Sequence, residues 1–398
     1  MIVHSALTRA TPLWRLAFRP FFLLGAAFSL LAMLIWGAFW HGTILLQPHG
    51  GMFWWHQHEM LFGFVAAIVV GFLLTAVQNW TGQPGLRGVP LLALAGLWLL
   101  GRLLMASPLG LSPWVLMLVD VAFLPLVAMA LAWPVIRVRQ WRNLIFVPVL
   151  ALLALSNGLM HYALVLGDAL LMRGSAHLAV LLIVLLMIVL GGRVIPFFTS
   201  RRLQRPAPTR PAWLEVVALG SVVAMLLMQL AGLAGMPLPA SGWAALAFTA
   251  GLGNALRLLR WEGWLSWREP LLWGLHVSYA FICIGLIMWG LAALGIVATS
   301  LAVHALTVGG MASMILAMIS RVALGHTGRS IVTLPGIGIA LVLLVLAAIL
   351  RALLPAVWPL ASHWALSFAI VFWCLAFGLY LYRYSHILLS NRADGAEG

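Results

Sequence analysis

MLFGFVAAIVVGFLLTAV, residues 60–77, runs for 18 positions without a charge. At 1.5 Å per residue a helix of that length spans about 27 Å, close to the roughly 30 Å hydrocarbon core of a bilayer. Immediately before it stand Trp54-Trp55-His56-Gln57-His58-Glu59, so titratable side chains open an otherwise apolar segment. Similar runs of roughly 17–24 residues occur twelve times, near 18–40, 56–78, 89–106, 113–133, 144–166, 175–197, 213–233, 240–259, 270–293, 300–322, 333–354 and 361–382. Pro and Gly punctuate the connections, as at Pro84-Gly85 and Pro206-Ala207-Pro208, and none is long enough to hide a soluble domain. The sequence predicts an all-α, polytopic membrane protein forming one transmembrane domain over residues 1–398.

Composition agrees. Of 398 residues 64% are hydrophobic and 8% charged, with a mean hydropathy of +1.10, where a soluble domain is about a quarter charged. That excludes a water-soluble globule and a disordered chain, and two cysteines exclude a disulfide scaffold. The 22 basic residues are all arginine, and they fall between apolar runs rather than in one patch, which argues against a nucleic-acid partner. With the N-terminus in the cytoplasm, nineteen arginines fall on the inner side and only Arg102, Arg173 and Arg351 on the outer. The positive-inside rule then places both termini in the cytoplasm. The first run follows Arg9, Arg15 and Arg19 without a small-residue cleavage site, the pattern of an anchor rather than a removed signal.

The histidines carry the chemistry. His4, His41, His49, His363 and His386 fall in tails, loops or helix edges and read as ordinary surface residues. By contrast His56 and His58 open the second span, His161 lies near the end of the fifth, His177 opens the sixth, and His304 is near the start of the tenth. Spans of alternating direction put these five imidazoles at one depth, the outer third of the membrane. Ionisable groups there face a cavity or a partner, and imidazole from several helices at one depth points to metal or haem ligation. His58, His177 and His304 are the first-choice ligands, with His56, His161 and His276 next. His56 and His58 are about 200° apart around a helix, so they cannot both address one metal unless His56 still lies in the entering turn; otherwise one ligates and the other orients, or they serve two sites.

Around these ligands, Glu59 and Asn157 are candidates to orient a ring, and Glu59 and Asp120 to carry protons. Asn157 precedes His161 by four residues and shares its face. Tyr279, three residues after His276, reads as its hydrogen-bonded neighbour. Asp120 needs a partner in lipid, for which Arg102 is at hand, while Arg102, Arg173 and Arg351 are the outer cations that could pair with haem propionates. The sequence offers no nucleophile motif, no phosphate loop, no dinucleotide fingerprint and no CxxCH, so any haem is held non-covalently, as a b-type haem. His58, His177 and His304 lie on spans 2, 6 and 10, separated by 119 and 127 residues, a spacing that implies three pseudo-repeated four-helix units.

Phe18-Arg19-Pro20-Phe21-Phe22, WHQHEMLFGF (residues 55–64), Asn79-Trp80-Thr81-Gly82, GRVIPFFTSR (192–201) and RVALGHTGR (321–329) resemble the NnrS family over most of the chain. Gln78 departs from the proline of that family and leaves the histidines untouched. The resemblance implies a bacterial inner-membrane protein with haem and copper, tied to denitrification and nitrosative stress. On that reading the expected activity is an oxidoreductase resembling nitric oxide reductase: it reduces nitric oxide to nitrous oxide with electrons from a quinol or another donor. The alternatives are a non-catalytic protein that senses or sequesters nitric oxide or handles haem or copper, and a secondary transporter. In architecture the chain also resembles the catalytic subunit of haem–copper oxidases. It departs from that pattern in having no histidine on the seventh span, one within the tenth, and no adjacent copper-binding pair.

Overall fold

The computed structural model describes residues 11–237 and 239–396; His4 and Arg9 lie outside them. It is 80% helical, with no strand among the described residues and twelve helices. These are α1 (Phe18–Trp40), α2 (Gly51–Thr81), α3 (Val89–Ala106), α4 (Pro113–Arg137), α5 (Phe146–Leu166), α6 (Ala169–Leu203), α7 (Ala212–Leu233), α8 (Ala240–Leu259), α9 (Pro270–Ala293), α10 (Thr299–His326), α11 (Ile337–Val357) and α12 (Ser362–Leu389). Eleven are long and apolar enough to span a membrane. The exception is α8, whose Asn254 and Arg257 lower its hydropathy. All twelve predicted runs are helices, and the main differences are at the ends. α2 and α6 extend past their apolar stretches because Trp, His, Ser and Arg continue a helix readily.

The chain divides into two compact units. Of the described residues, the first holds 11–179, 321–331 and 380–396, and the second 180–237, 239–320 and 332–379. In the first, α2 packs against α1 and α4, and α4 against α5. Gly71 permits the α1–α2 contact: a Cβ there would lie 2.8 Å from the Phe21 Cβ. The first amide of α1 is satisfied across the same contact, since Phe18 N–H donates to Thr75 Oγ1 (2.9 Å). Arg19 is fully buried and donates to the carbonyls of Leu388 (2.9 Å) and Ser390 (2.7 Å) at the end of α12, a cation at a helix C-terminus. In the second unit α9 is the central helix, packed against α8, α10 and α11.

Two local departures from α-helix prepare the site. α4 breaks at Ala122, between helical stretches Pro113–Val121 and Phe123–Arg137. Pro125 explains the break, because it lacks an N–H and its ring crowds the carbonyl of Val121. In α2, residues Glu59–Val65 form a π-helical turn directly after His58. Such widened turns concentrate at functional positions. Similar turns follow His304 (Ala305–Ala312) and enclose Arg351 (Ile349–Leu353).

Candidate metal centre

Beside the widened turn of α2, four helices of the first unit bring a polar cluster into the apolar interior. His58 and Glu59 come from α2, Arg102 from α3, Asp120 from α4, and Asn157 and His161 from α5, and all six are buried. The turn lets the adjacent His58 and Glu59 share one cluster. Its Gly63 leaves room: a Cβ there would lie 2.9 Å from Arg102 Nη1 and 3.1 Å from Glu59 Oε2. Trp98 Nε1–H donates to Gly63 O (3.0 Å), satisfying a carbonyl of that turn.

Arg102 donates from Nη1 to Glu59 Oε1 (2.8 Å) and from Nη2 to Asp120 Oδ1. His58 meets Glu59 Oε1 at Nδ1 (2.9 Å), and at Nε2 it meets Asn157 Oδ1 (2.8 Å) and Asp120 Oδ2 (3.1 Å). The Asn157 amide is fixed by its other end, where Nδ2 donates to Asp120 Oδ2 (2.7 Å). His161 Nε2 lies 3.4 Å from the same oxygen. Trp54 stacks on His58 at 4.4 Å and 11°, and donates Nε1–H to Met160 O (3.4 Å).

Glu59 and Asp120 carry two negative charges and Arg102 one positive, which leaves −1 with both imidazoles neutral. Both His58 nitrogens face acceptors, so one further positive charge, a proton on the ring or a cation beside it, would complete the arrangement. An imidazole nitrogen of each of His58 and His161 and an oxygen of Asp120 lie within 4.8 Å of one another, the one such metal-capable group among the described residues. His161 Nδ1, Glu59 Oε2 and Arg102 Nε are buried without a hydrogen-bond partner among those residues. Two imidazoles and a carboxylate suit copper, zinc or iron ions, and the residues fit a metal ion. For His58 to act as a ligand, its Nε2 would have to give up the contacts with Asn157 and Asp120, and Trp54 covers one face of its ring.

The comparisons bear on this geometry. The family described as NnrS protein matches residues 12–392, nearly the whole chain. The chain belongs to the NnrS family. No curated protein matches it. NnrS membership points to a role in the nitric oxide response, and the family is associated with metal and haem binding.

The remaining predicted residues are placed as follows. His56 turns away from the cluster and stacks on Trp36 (4.2 Å, 18°), as the 200° separation from His58 requires. His177 is half-buried near the start of α6, and His304 is half-buried with its Nδ1 2.6 Å from Ser300 O. Neither belongs to the metal-capable group. Arg102 is committed to carboxylates rather than open to a propionate, Arg173 is exposed, and Arg351 is half-buried in its π-turn. Asn157 shares a face with His161 but bonds His58 and Asp120 instead.

His276 and Tyr279 lie in the second unit and are not bonded to each other. His276 Nε2–H donates to Thr199 Oγ1 (3.0 Å), whose own hydrogen goes to Ile195 O (2.9 Å). Tyr279 O–H donates to Asn254 Oδ1 (2.6 Å) and accepts from Arg257 Nη1 (3.0 Å). Arg257 also pairs with Glu215 (2.8 and 2.5 Å) and donates to Ile188 O (3.0 Å). Sequence reasoning missed this network by reading Arg257 as one of the inner-side topology arginines. In the fold Gly192 makes room for that side chain, since a Cβ there would collide with the guanidinium.

His49 is the second omission. It lies in the α1–α2 loop yet is only 8% exposed, and its ring stacks on His161 at 5.4 Å and 28°. Burial pushes its pKa down to about 4, with His161 and His58 adding to the effect and Asp120 opposing it.

Proposed function

We propose that this chain is a metalloprotein of the bacterial inner membrane, with both termini cytoplasmic, that acts on nitric oxide. The reaction we favour reduces it to nitrous oxide: two NO, two electrons and two protons give N2O and water. A quinol or another membrane donor supplies the electrons. The observation that carries the reading is the buried His58–Asp120–His161 group, whose imidazole nitrogens and carboxylate oxygen lie within 4.8 Å of one another. His58, His161 and Asp120 would hold a copper ion, which supplies the one-electron chemistry such a reaction needs. Arg102 fixes both carboxylates, and Asn157 locks the His58 ring against Asp120. Glu59, with one oxygen on Arg102 and His58 and the other unpartnered, is placed to hold and pass a proton. A haem would draw its ligand from outside this cluster, where His177, His276 and His304 remain.

The test pairs metal analysis with an NO electrode. Purified protein supplied with a reduced quinol should consume NO over many turnovers, produce nitrous oxide and contain copper. His161→Ala should lose the copper and the turnover together. Stoichiometric uptake that stops at one NO per protein would make this a sensing or sequestering protein. Full copper content and turnover in His161→Ala would discard the assignment of the site.

A further inference from the structure

We propose that the inner end of α6 carries a binding site for the phosphate group of an anionic phospholipid; the inference stands apart from the metal centre and needs only the membrane topology proposed above. The stretch GRVIPFFTSR (192–201) builds one wall of it, and the metal centre uses none of that stretch. From Gly174 to Gly192 α6 carries no formal charge, and Pro196, Phe197, Ser200 and Arg201 follow within about 12 Å of Arg193 along the helix axis. They stand where the hydrocarbon core gives way to headgroups. The helix then ends in a tight return. Gln204 takes left-handed backbone (φ +52°) and Arg205 N–H donates to Ser200 O (3.0 Å), the closing bond of a Schellman turn. Pro206, Pro208 and Pro211 stiffen the segment that follows. Two contacts tie it to the chain at the end of α8: Arg205 Nη1 donates to Glu262 Oε2 (2.9 Å), and Arg260 Nη2 to Thr209 Oγ1 (2.5 Å).

Between the helix end and this return lies a cavity of about 320 Å³. Pro196, Phe197 and Ala207 give it apolar walls, and Arg201, Arg205 and Arg210 give it three guanidinium groups. One carboxylate, Glu262 on Arg205, offsets one of those charges, which leaves a formal +2. Arg201 and Arg210 form no ion pair among the described residues; Arg201 lies instead over the Phe197 ring (5.9 Å). Nearby Arg202 and Arg257, by contrast, each meet a carboxylate, Glu269 and Glu215. Guanidinium groups meet phosphate oxygens with parallel, charge-assisted hydrogen bonds, so a phosphodiester is the complementary ligand. The walls decide where that phosphate comes from. A free phosphate ion gains nothing from Pro196, Ala207 and a Phe197 ring that is 53% exposed, whereas a lipid can lay its glycerol and upper acyl carbons against them. The site therefore takes a lipid whose headgroup carries net negative charge, as the cytoplasmic leaflet supplies.

The experiment takes delipidated full-length protein in a neutral detergent and reads bound lipid by native mass spectrometry. Phosphatidylglycerol and phosphatidylcholine are titrated in turn, with inorganic phosphate as competitor. We expect phosphatidylglycerol to bind in preference to phosphatidylcholine, and millimolar phosphate to leave it in place. Arg201→Gln with Arg210→Gln should weaken that binding about 30-fold, since each arginine near the surface contributes about 5-fold toward an anionic lipid. Ala207→Trp fills the cavity with every charge kept and should lose the same lipid. Arg137→Gln with Arg139→Gln removes as much charge at the exposed end of α4 and should leave the affinity unchanged. All of these side chains are exposed, so each variant should melt like wild type in detergent alone. Wild-type binding in Ala207→Trp, or equal weakening in the Arg137 and Arg139 variant, would reduce the site to a diffuse basic surface and overturn the proposal. Displacement by phosphate would make it a site for a soluble anion, and equal affinity for the two lipids would remove the role of charge; either result also overturns it. None of these outcomes bears on copper content or nitric oxide turnover, which test the metal centre separately.

Discussion

Replacing Arg102 with methionine puts the cluster's charge balance to a direct test. Arg102 meets Glu59 and Asp120 together, and both carboxylates are buried. Two unit charges about 4 Å apart attract by about 4 kcal/mol at an effective dielectric of 20, so the two pairs together amount to about 8 kcal/mol. Part of that is offset because the wild-type guanidinium is itself stripped of water. Removing one partner of a buried pair costs about 3–5 kcal/mol in practice, and that is the loss expected for Arg102→Met. The formal charge of the metal-free cluster then falls from −1 to −2. Adding Asp120→Asn returns it to −1, so the double variant should regain about 2 kcal/mol or more of the loss. The assay is unfolding of chelator-treated protein in detergent, by thermal melt and by denaturant titration, for both single variants and the pair. A single variant within about 0.5 kcal/mol of wild type, the range of an indifferent surface change, would refute the reasoning. So would a double variant no more stable than Arg102→Met.

Two further substitutions probe the frame around the site. Gly192→Ala should displace the Arg257 guanidinium and cost nearly as much stability as Arg257→Met, while the double variant should be no worse than Arg257→Met alone, because both remove one network. Additive losses in the same melts would show that Gly192 acts elsewhere. Arg19→Met removes two charged hydrogen bonds to the end of α12 and should cost about 1.5–3 kcal/mol each at most. It should also speed amide exchange in residues 385–390, and unchanged exchange there would count against the capping role.

Much of this architecture can be read from residue order alone, for physical reasons. A charge-free run as long as residues 60–77 has one low-cost conformation in lipid, because every backbone group must be satisfied within the segment. The same logic ties Asp120 to Arg102, since a lone carboxylate in an apolar span must find a cation. Helical geometry alone separates His56 from His58. The contacts that escape such reading depend on irregular backbone. The π-turn after His58 lets two consecutive side chains share one cluster, and no 3.6-residue periodicity announces it. The burial of His49 depends on Gly50 and Gly51, two glycines with positive φ that in sequence look like any loop. Asn157 and His161 share a face, but helical spacing does not fix which partner on α2 or α4 each will reach.

The two buried polar networks differ in a way that separates structure from chemistry. In the second unit Arg257 and Glu215 cancel in charge, and the guanidinium, the Tyr279 hydroxyl and the Asn254 amide all have partners. A network closed in this way positions helices and has no capacity left for a ligand. The cluster of α2–α5 has the opposite character: an odd formal charge with neutral imidazoles, His58 between acceptors on both sides, and three buried polar atoms, Glu59 Oε2, Arg102 Nε and His161 Nδ1, without partners. Unpaired buried groups cost about 1–3 kcal/mol each. A cation bound beside Asp120 would offset that formal charge, and α2 carries its widened turn directly after His58, at the place where such an ion would sit.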